Sequence, residues 1–139
     1  MIAFSEGTST IKGSDDGYNV VVGGTLFFGY DDHPRELVRL NKNLTSTAAG
    51  RYQVLARYYD AYKTQLHLPD FGHASQDAIA MQLIKECKAL GDIDAGNFQN
   101  AVKKCRSRWA SLPGAGYRQH ENAYAELEQA YREAGGMVA

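Results

Sequence analysis

The residues best suited to chemistry stand at the start of the chain. "MIAFSEGTST" places Glu6 between Ser5 and Gly7, just after the apolar Ile2 and Phe4. An apolar setting disfavours the ionised form of a carboxyl and raises its pKa. A glutamic acid still protonated near neutral pH can donate a proton to a leaving oxygen, which is what glycosidic cleavage requires. Most glycosidases add a second carboxylate. The candidates here are Asp15 and Asp16 in "SDD" and Asp31 and Asp32 in "YDDH", although both pairs also read as turn chemistry.

Other constellations are weaker. His33, His67, His73 and His120 are scattered, with no helical pair and no HExxH, which argues against metal hydrolysis. No GxSxG elbow supports a serine nucleophile. "PGAG" follows a helical pattern rather than a strand and makes a poor phosphate cradle. Cys87 and Cys105 lack a CxxC or Cys/His spacing and read as core or half-buried thiols, with a disulfide between neighbouring helices left open. Arg35, Arg39 and Lys42 read as a solvated basic face, or as a contact to a polyanionic substrate.

These groups need a scaffold, and the composition supplies one. The chain has 139 residues, 44% hydrophobic and 22% charged, enough for one soluble domain with a core. A net charge of −1 gives no basic field for nucleic acid or an anionic membrane. Neither a membrane span nor a signal peptide is visible, so synthesis in the cytoplasm is expected.

Residues 7–17 read as a polar loop. In "YNVVVGGTLFFGY", two β-branched or aromatic runs flank Gly23-Gly24, predicting a β-hairpin with a type I′ turn. Residues 30–47 read as irregular, with room for a short helical turn or edge strand. From Ala49 the period is helical: Leu55, Tyr58, Tyr59, Tyr62 and Leu66 share a face, and Pro69 ends the run. Further helices are expected over about 74–90, 97–109 and 118–134. Gly91, Pro113 and Gly135-Gly136 are their stops, and Phe98, Val102, Cys105 and Trp109 are the buried face of the second. The fold class is α+β. A small β-lobe covers about 17–47 and a helical lobe about 48–139, within one domain spanning 1–139. A cleft between lobes is the expected ligand site. At the entry to the first long helix, "STAAGRYQVL" reads as a helix start capped by Ser46 or Thr47. The alternative to that reading is a cleft edge at which Gln53 and the backbone near Gly50 bond an acetamido sugar.

Together "FSEGT", "GYNVVVGG", "YDDHPRELVRLN", "STAAGRYQVLARYYDAY", "SQDAIAMQLIKE" and "WASLPGAGYRQ" resemble the lambda-type phage endolysins, over nearly the whole chain. That resemblance implies a lysozyme-like α+β fold and a lytic transglycosylase of bacterial peptidoglycan. Glu6 matches the single catalytic glutamate of the Ser-Glu-Gly-Thr motif. Gln53 and Tyr117 match substrate-contacting residues, and Tyr52 and Gln119 beside them and Asn19 in "GYNV" are expected as further substrate-binding residues. Neither cofactor nor metal is implied. The implied partners are the peptidoglycan glycan strand and a separate membrane-permeabilising protein, a holin, which lets a cytoplasmic enzyme reach the periplasmic wall. The enzyme is expected to be monomeric.

Two departures stand out. The family pattern has further helical turns before its Ser-Glu-Gly-Thr motif, so the N-terminal helix reads as truncated, and so short a helix is marginal unless braced. Asn19 stands where the family has Asp; an amide can orient a sugar but cannot take a proton. The alternatives are a hydrolytic muramidase using Glu6 with Asp15, Asp16 or Asp31, and a wall-binding lysozyme-like module without activity.

Overall fold

The computed structural model describes residues 1–115 and 122–139. They fall into two compact units. One comprises Gly7–Ala80, the other Met1–Glu6 with Met81–Ala139.

The 7–80 unit holds the sheet, though not where the sequence predicts it. The strands are β1 (Val38–Asn41) and β2 (Leu44–Ser46), antiparallel, with a register shift between Arg39 and Asn41. Both are mostly exposed, so no inward alternation marks them in a stretch read as irregular. The hairpin expected around Gly23-Gly24 is reduced to a turn. Both glycines take positive φ, but only one bridge forms, between Val20 and Leu26. The reason is competition for backbone partners. Val22 N–H donates to the Ala48 carbonyl at 2.9 Å and Gly50 N–H to the Val20 carbonyl at 2.8 Å, so this segment is shared with residues 48–50.

The first long helix, α2, spans Ala56–Gln65 and starts later than the periodicity suggests. Residues 49–54 form instead a tight turn closed by the Ala49–Val54 bridge. Of its expected face Tyr59 and Tyr62 are buried, while Tyr58 is exposed. The core of this unit centres on Phe71, whose ring lies 5.0 Å from Tyr59, 6.1 Å from Phe27 and 4.8 Å from His33. His33 is buried, its Nε2–H donating to the Val54 carbonyl (2.8 Å) while Nδ1 accepts from Arg35 N–H (2.9 Å). Burial, the largest influence, lowers its pKa, and both ring nitrogens are used as a neutral imidazole uses them. The division between units falls within α3 (His73–Glu86).

The second unit contains α1 (Ile2–Ser5), α4 (Leu90–Asp94), α5 (Phe98–Cys105) and α6 (Tyr124–Glu133). Helix α4 is unexpected, because Gly91, read as a stop, sits inside its first turn. On α5 and just beyond it, Phe98, Val102, Cys105 and Trp109 are all buried as their spacing predicts. Leu127 anchors α6, and Gly135 beyond it takes a φ of 90°. The two cysteines are free thiols, Cys105 buried and Cys87 half-buried. Burial, then the neighbouring Cys87 thiol, pushes the Cys105 pKa up to about 12, so it is an inert thiol at neutral pH.

Helix α1 is a single turn closed by Ser5 N–H to the Met1 carbonyl (2.9 Å) and Glu6 N–H to the Ile2 carbonyl (2.8 Å). A turn this short has no stability of its own. It packs on α6. Ala3 and Ser5 carry its buried face, whereas Phe4, one of the two apolar neighbours read as the setting of Glu6, is 39% exposed. The brace that the sequence leaves missing is polar.

Candidate active site

Glu6 ends α1 as its C-cap residue. Its Oε1 accepts a hydrogen bond from Ser111 Oγ at 2.8 Å. Ser111 Oγ lies 2.7 Å from Ser5 Oγ. Asn122 Nδ2 donates to the Ser5 carbonyl (3.1 Å), the Ser5 hydroxyl (3.2 Å) and the Ser111 carbonyl (3.3 Å), and Asn122 N–H donates again to the Ser111 carbonyl (3.0 Å). These bonds tie the start of the chain to the segment before α6. Burial, the largest influence, pushes the Glu6 pKa up to about 7 against the lowering effect of the Ser111 hydroxyl. At neutral pH such a carboxyl is divided between its acid and base forms, the condition under which one group serves both roles.

Gln53, Tyr52 and Asn19 belong to the other unit. Gly50 and Gln53 both take left-handed backbone, φ 84° and 54°, in the tight turn. A side chain at Gly50 would run into Gln76 Oε1 and the Phe71 ring, so "GRYQ" needs glycine for space as well as for φ. The fully buried Gln76 clamps the turn. Its Oε1 accepts from Arg51 N–H at 2.9 Å, and its Nε2 donates to the Phe71 (2.8 Å) and Tyr18 (3.0 Å) carbonyls. Gln53 Nε2 donates to the Gly50 (3.0 Å) and Val20 (3.3 Å) carbonyls. The acceptors on Nε2 fix the amide orientation, and Gln53 is held in a left-handed backbone conformation that costs a non-glycine residue energy.

An ordered polar and aromatic cluster lies nearby in the same unit. Tyr52 and Tyr18 hydroxyls both donate to Asp77 Oδ1 at 2.7 Å, and Tyr18 stacks on His73 with ring centroids 3.8 Å apart. The Arg51 guanidinium lies over the Tyr18 and Tyr52 rings and pairs with Asp16. Burial first, then Asp77, pushes the Tyr52 pKa upward and keeps its hydroxyl a donor. Asp15 accepts from Tyr30 (2.6 Å) and from His73 (2.6 Å); these bonds, Tyr30's the larger, lower its pKa. Asn19 is buried, and its Oδ1 has no hydrogen-bond partner among the described residues.

Of the residues singled out from sequence, Asn19, Tyr52 and Gln53 lie in the 7–80 unit, and Gln53 bonds the carbonyl of Val20, the residue after Asn19. Tyr117 and Gln119 lie outside the described residues. Arg35 is no open substrate contact, since Asp32 (2.8 Å) and Asp60 (3.0 Å) hold it in a fork. Sequence reading missed Ser5, Ser111, Asn122 and Gln76. The first three have no local signal, because the bonds that join Ser111 and Asn122 to Ser5 and Glu6 span more than a hundred residues of chain. Gln76 was detectable as a polar residue on the apolar face of "SQDAIAMQLIKE".

With fold and site in hand, the class is clear: this is a lysozyme-like α+β protein. It matches a solved structure of bacteriophage lambda lysozyme complexed with a chitohexasaccharide at TM-score 0.96, with 53% identity over 99% of this chain and 91% of that one. A second lambda lysozyme structure matches at TM-score 0.92 with 52% identity and the same coverage. A family model of the endolysins matches residues 1–138. The endolysin of Escherichia phage lambda is 54% identical over 140 residues, covering 99% of this chain and 89% of the relative. The endolysin of Escherichia phage P2 is 45% identical over 150 residues, covering 100% and 91%. The chain belongs to the endolysin family.

Proposed function

We propose that this chain is a peptidoglycan lytic transglycosylase, acting as one catalytic domain with Glu6 as its single acid and base. The observation that carries this reading is the Glu6 carboxyl, pushed up to about 7 by burial and held through one oxygen by Ser111. Membership of the endolysin family, and the hexasaccharide held by the matched lambda lysozyme, support a glycan strand as substrate.

In this mechanism protonated Glu6 donates to the glycosidic oxygen between N-acetylmuramic acid and N-acetylglucosamine. The C1–O bond breaks, and the sugar's acetamido oxygen meets the positive charge growing at the anomeric carbon. Ionised Glu6 then takes the proton of the muramyl C6 hydroxyl, whose oxygen attacks C1 of the same residue and closes a 1,6-anhydro ring. The nucleophile is tethered, so its effective concentration replaces that of a positioned water. Glu6 ends protonated, ready for another turnover. Gln53, Tyr52 and Asn19 contact the sugars, together with Tyr117 and Gln119. The enzyme works as a monomer on the periplasmic wall, with a membrane-permeabilising partner giving access.

Product mass on purified peptidoglycan tests the reading. Muropeptides lighter by one water than those of a hydrolytic muramidase are expected. Products ending in reducing muramic acid would replace it with the muramidase reading.

A further inference from the structure

The hydrogen bonds around Glu6 have a direction. An ionised carboxylate only accepts, so the single Ser111 hydroxyl hydrogen is committed to Glu6 Oε1 (2.8 Å). Ser111 Oγ must then be the acceptor in its 2.7 Å contact with Ser5 Oγ, which makes Ser5 the donor. The Ser5 oxygen is met by Asn122 Nδ2 at 3.2 Å, and an amide nitrogen can only donate. That amide cannot turn over cheaply, because the same nitrogen also faces the carbonyls of Ser5 and Ser111. The chain therefore runs one way, from Asn122 through Ser5 and Ser111 to Glu6.

Protonating Glu6 does not reverse it. Reversal would make Ser5 Oγ accept from both Ser111 and Asn122, and the buried Ser5 hydroxyl hydrogen would lose its acceptor. Keeping the direction costs nothing, since the carbonyl oxygen of a neutral acid still accepts.

We propose that Asn122, Ser5 and Ser111 form a one-way donor chain that keeps Glu6 Oε1 an acceptor in both protonation states. The transferable proton is then confined to Oε2. Ser111 and Ser5 are positioning residues, and the proposal rests on Glu6 being the acid and base. The chain does two things for that chemistry. It orients the carboxyl so that one defined oxygen faces the bond to be broken, and it stabilises the carboxylate left behind after proton donation. It also explains how a single helical turn holds a catalytic group: the hydroxyl on one side of α1 is pinned to a segment more than a hundred residues away.

The test is titration of the Glu6 carboxyl by carbon NMR, in parallel with the pH profile of kcat/KM on purified peptidoglycan. Removing a donor to the ionised form favours the protonated form. In Ser111→Ala, Glu6 should titrate about one pH unit higher, the alkaline limb of the profile should move up equally, and Ser111→Thr should restore both. Ser5→Ala should move both the same way by less, and it serves as the test if Ser111→Ala does not fold. A carboxyl titration unmoved in a folded variant overturns the chain. If the carboxyl moves while the activity limb stays, the chain stands and the acid–base assignment of Glu6 falls.

Discussion

Glu6 and Asp15 carry the same functional group and are driven to opposite sides of the ordinary carboxylate range. Glu6 is largely withdrawn from water and has one hydroxyl donor among the described residues; its pKa goes up to about 7. Asp15 lies on an exposed face with donors from Tyr30 and His73, and its pKa goes down. Desolvation decides the first and hydrogen bonding the second. One unit thus keeps a carboxyl that exchanges its proton near neutrality. The other spends three of its carboxylates, Asp15, Asp16 and Asp77, on fixing tyrosines and an arginine in place. Under the proposed function, the first would carry proton transfer and the second recognition of the glycan.

The most severe way to break the contrast is Glu6→Gln. It should lower lytic activity on permeabilised cells by about 10²–10⁴-fold, the usual worth of a general acid or base. Unchanged activity would move the chemistry elsewhere in the chain. In the other unit, Gly50→Ala forces a side chain into left-handed backbone and against Gln76 and Phe71. Thermal unfolding should show a loss of about 2–3 kcal/mol.

Glu6 should also mark the pH dependence of stability. Its folded pKa of about 7 exceeds the unfolded value of 4.5, so the native state holds the proton more tightly. Its contribution is fully present below 4.5 and is lost as pH rises through 7. Glu6→Gln, which has no proton to lose, should therefore gain about 3 kcal/mol relative to the parent between pH 4 and pH 8 in denaturant titrations. An equal offset at both pH values would mean that the carboxyl is not desolvated. The smallest effect is Tyr30→Phe. By removing the larger donor it should raise the Asp15 titration toward the ordinary carboxylate value while leaving that of Glu6 in place, as read by carbon NMR.

How far the sequence disclosed all this follows from the range of the interactions. The α5 face was legible because Phe98, Val102, Cys105 and Trp109 repeat at the helical period and face a core. Strands β1 and β2 were not, since exposed strands have no buried face to write into their pattern. The Gly23-Gly24 turn was legible, but its ladder was lost to residues 48–50, a competition that no local reading reveals. Glu6 emerged through its motif and not through its neighbours. The apolar support expected from Phe4 is exposed, and the actual support is the hydroxyl and amide chain from Ser111 and Asn122. Nothing near Glu6 in sequence points to either residue.

The central claim is that one carboxyl, acting as acid and then as base, closes an anhydro ring without consuming water. Digestion of purified peptidoglycan in water enriched in oxygen-18 tests it most directly, with Glu6→Gln as the blank. The account predicts anhydromuropeptides carrying no label at the muramyl C1. Label at that carbon would contradict it, because only attack by solvent water puts it there.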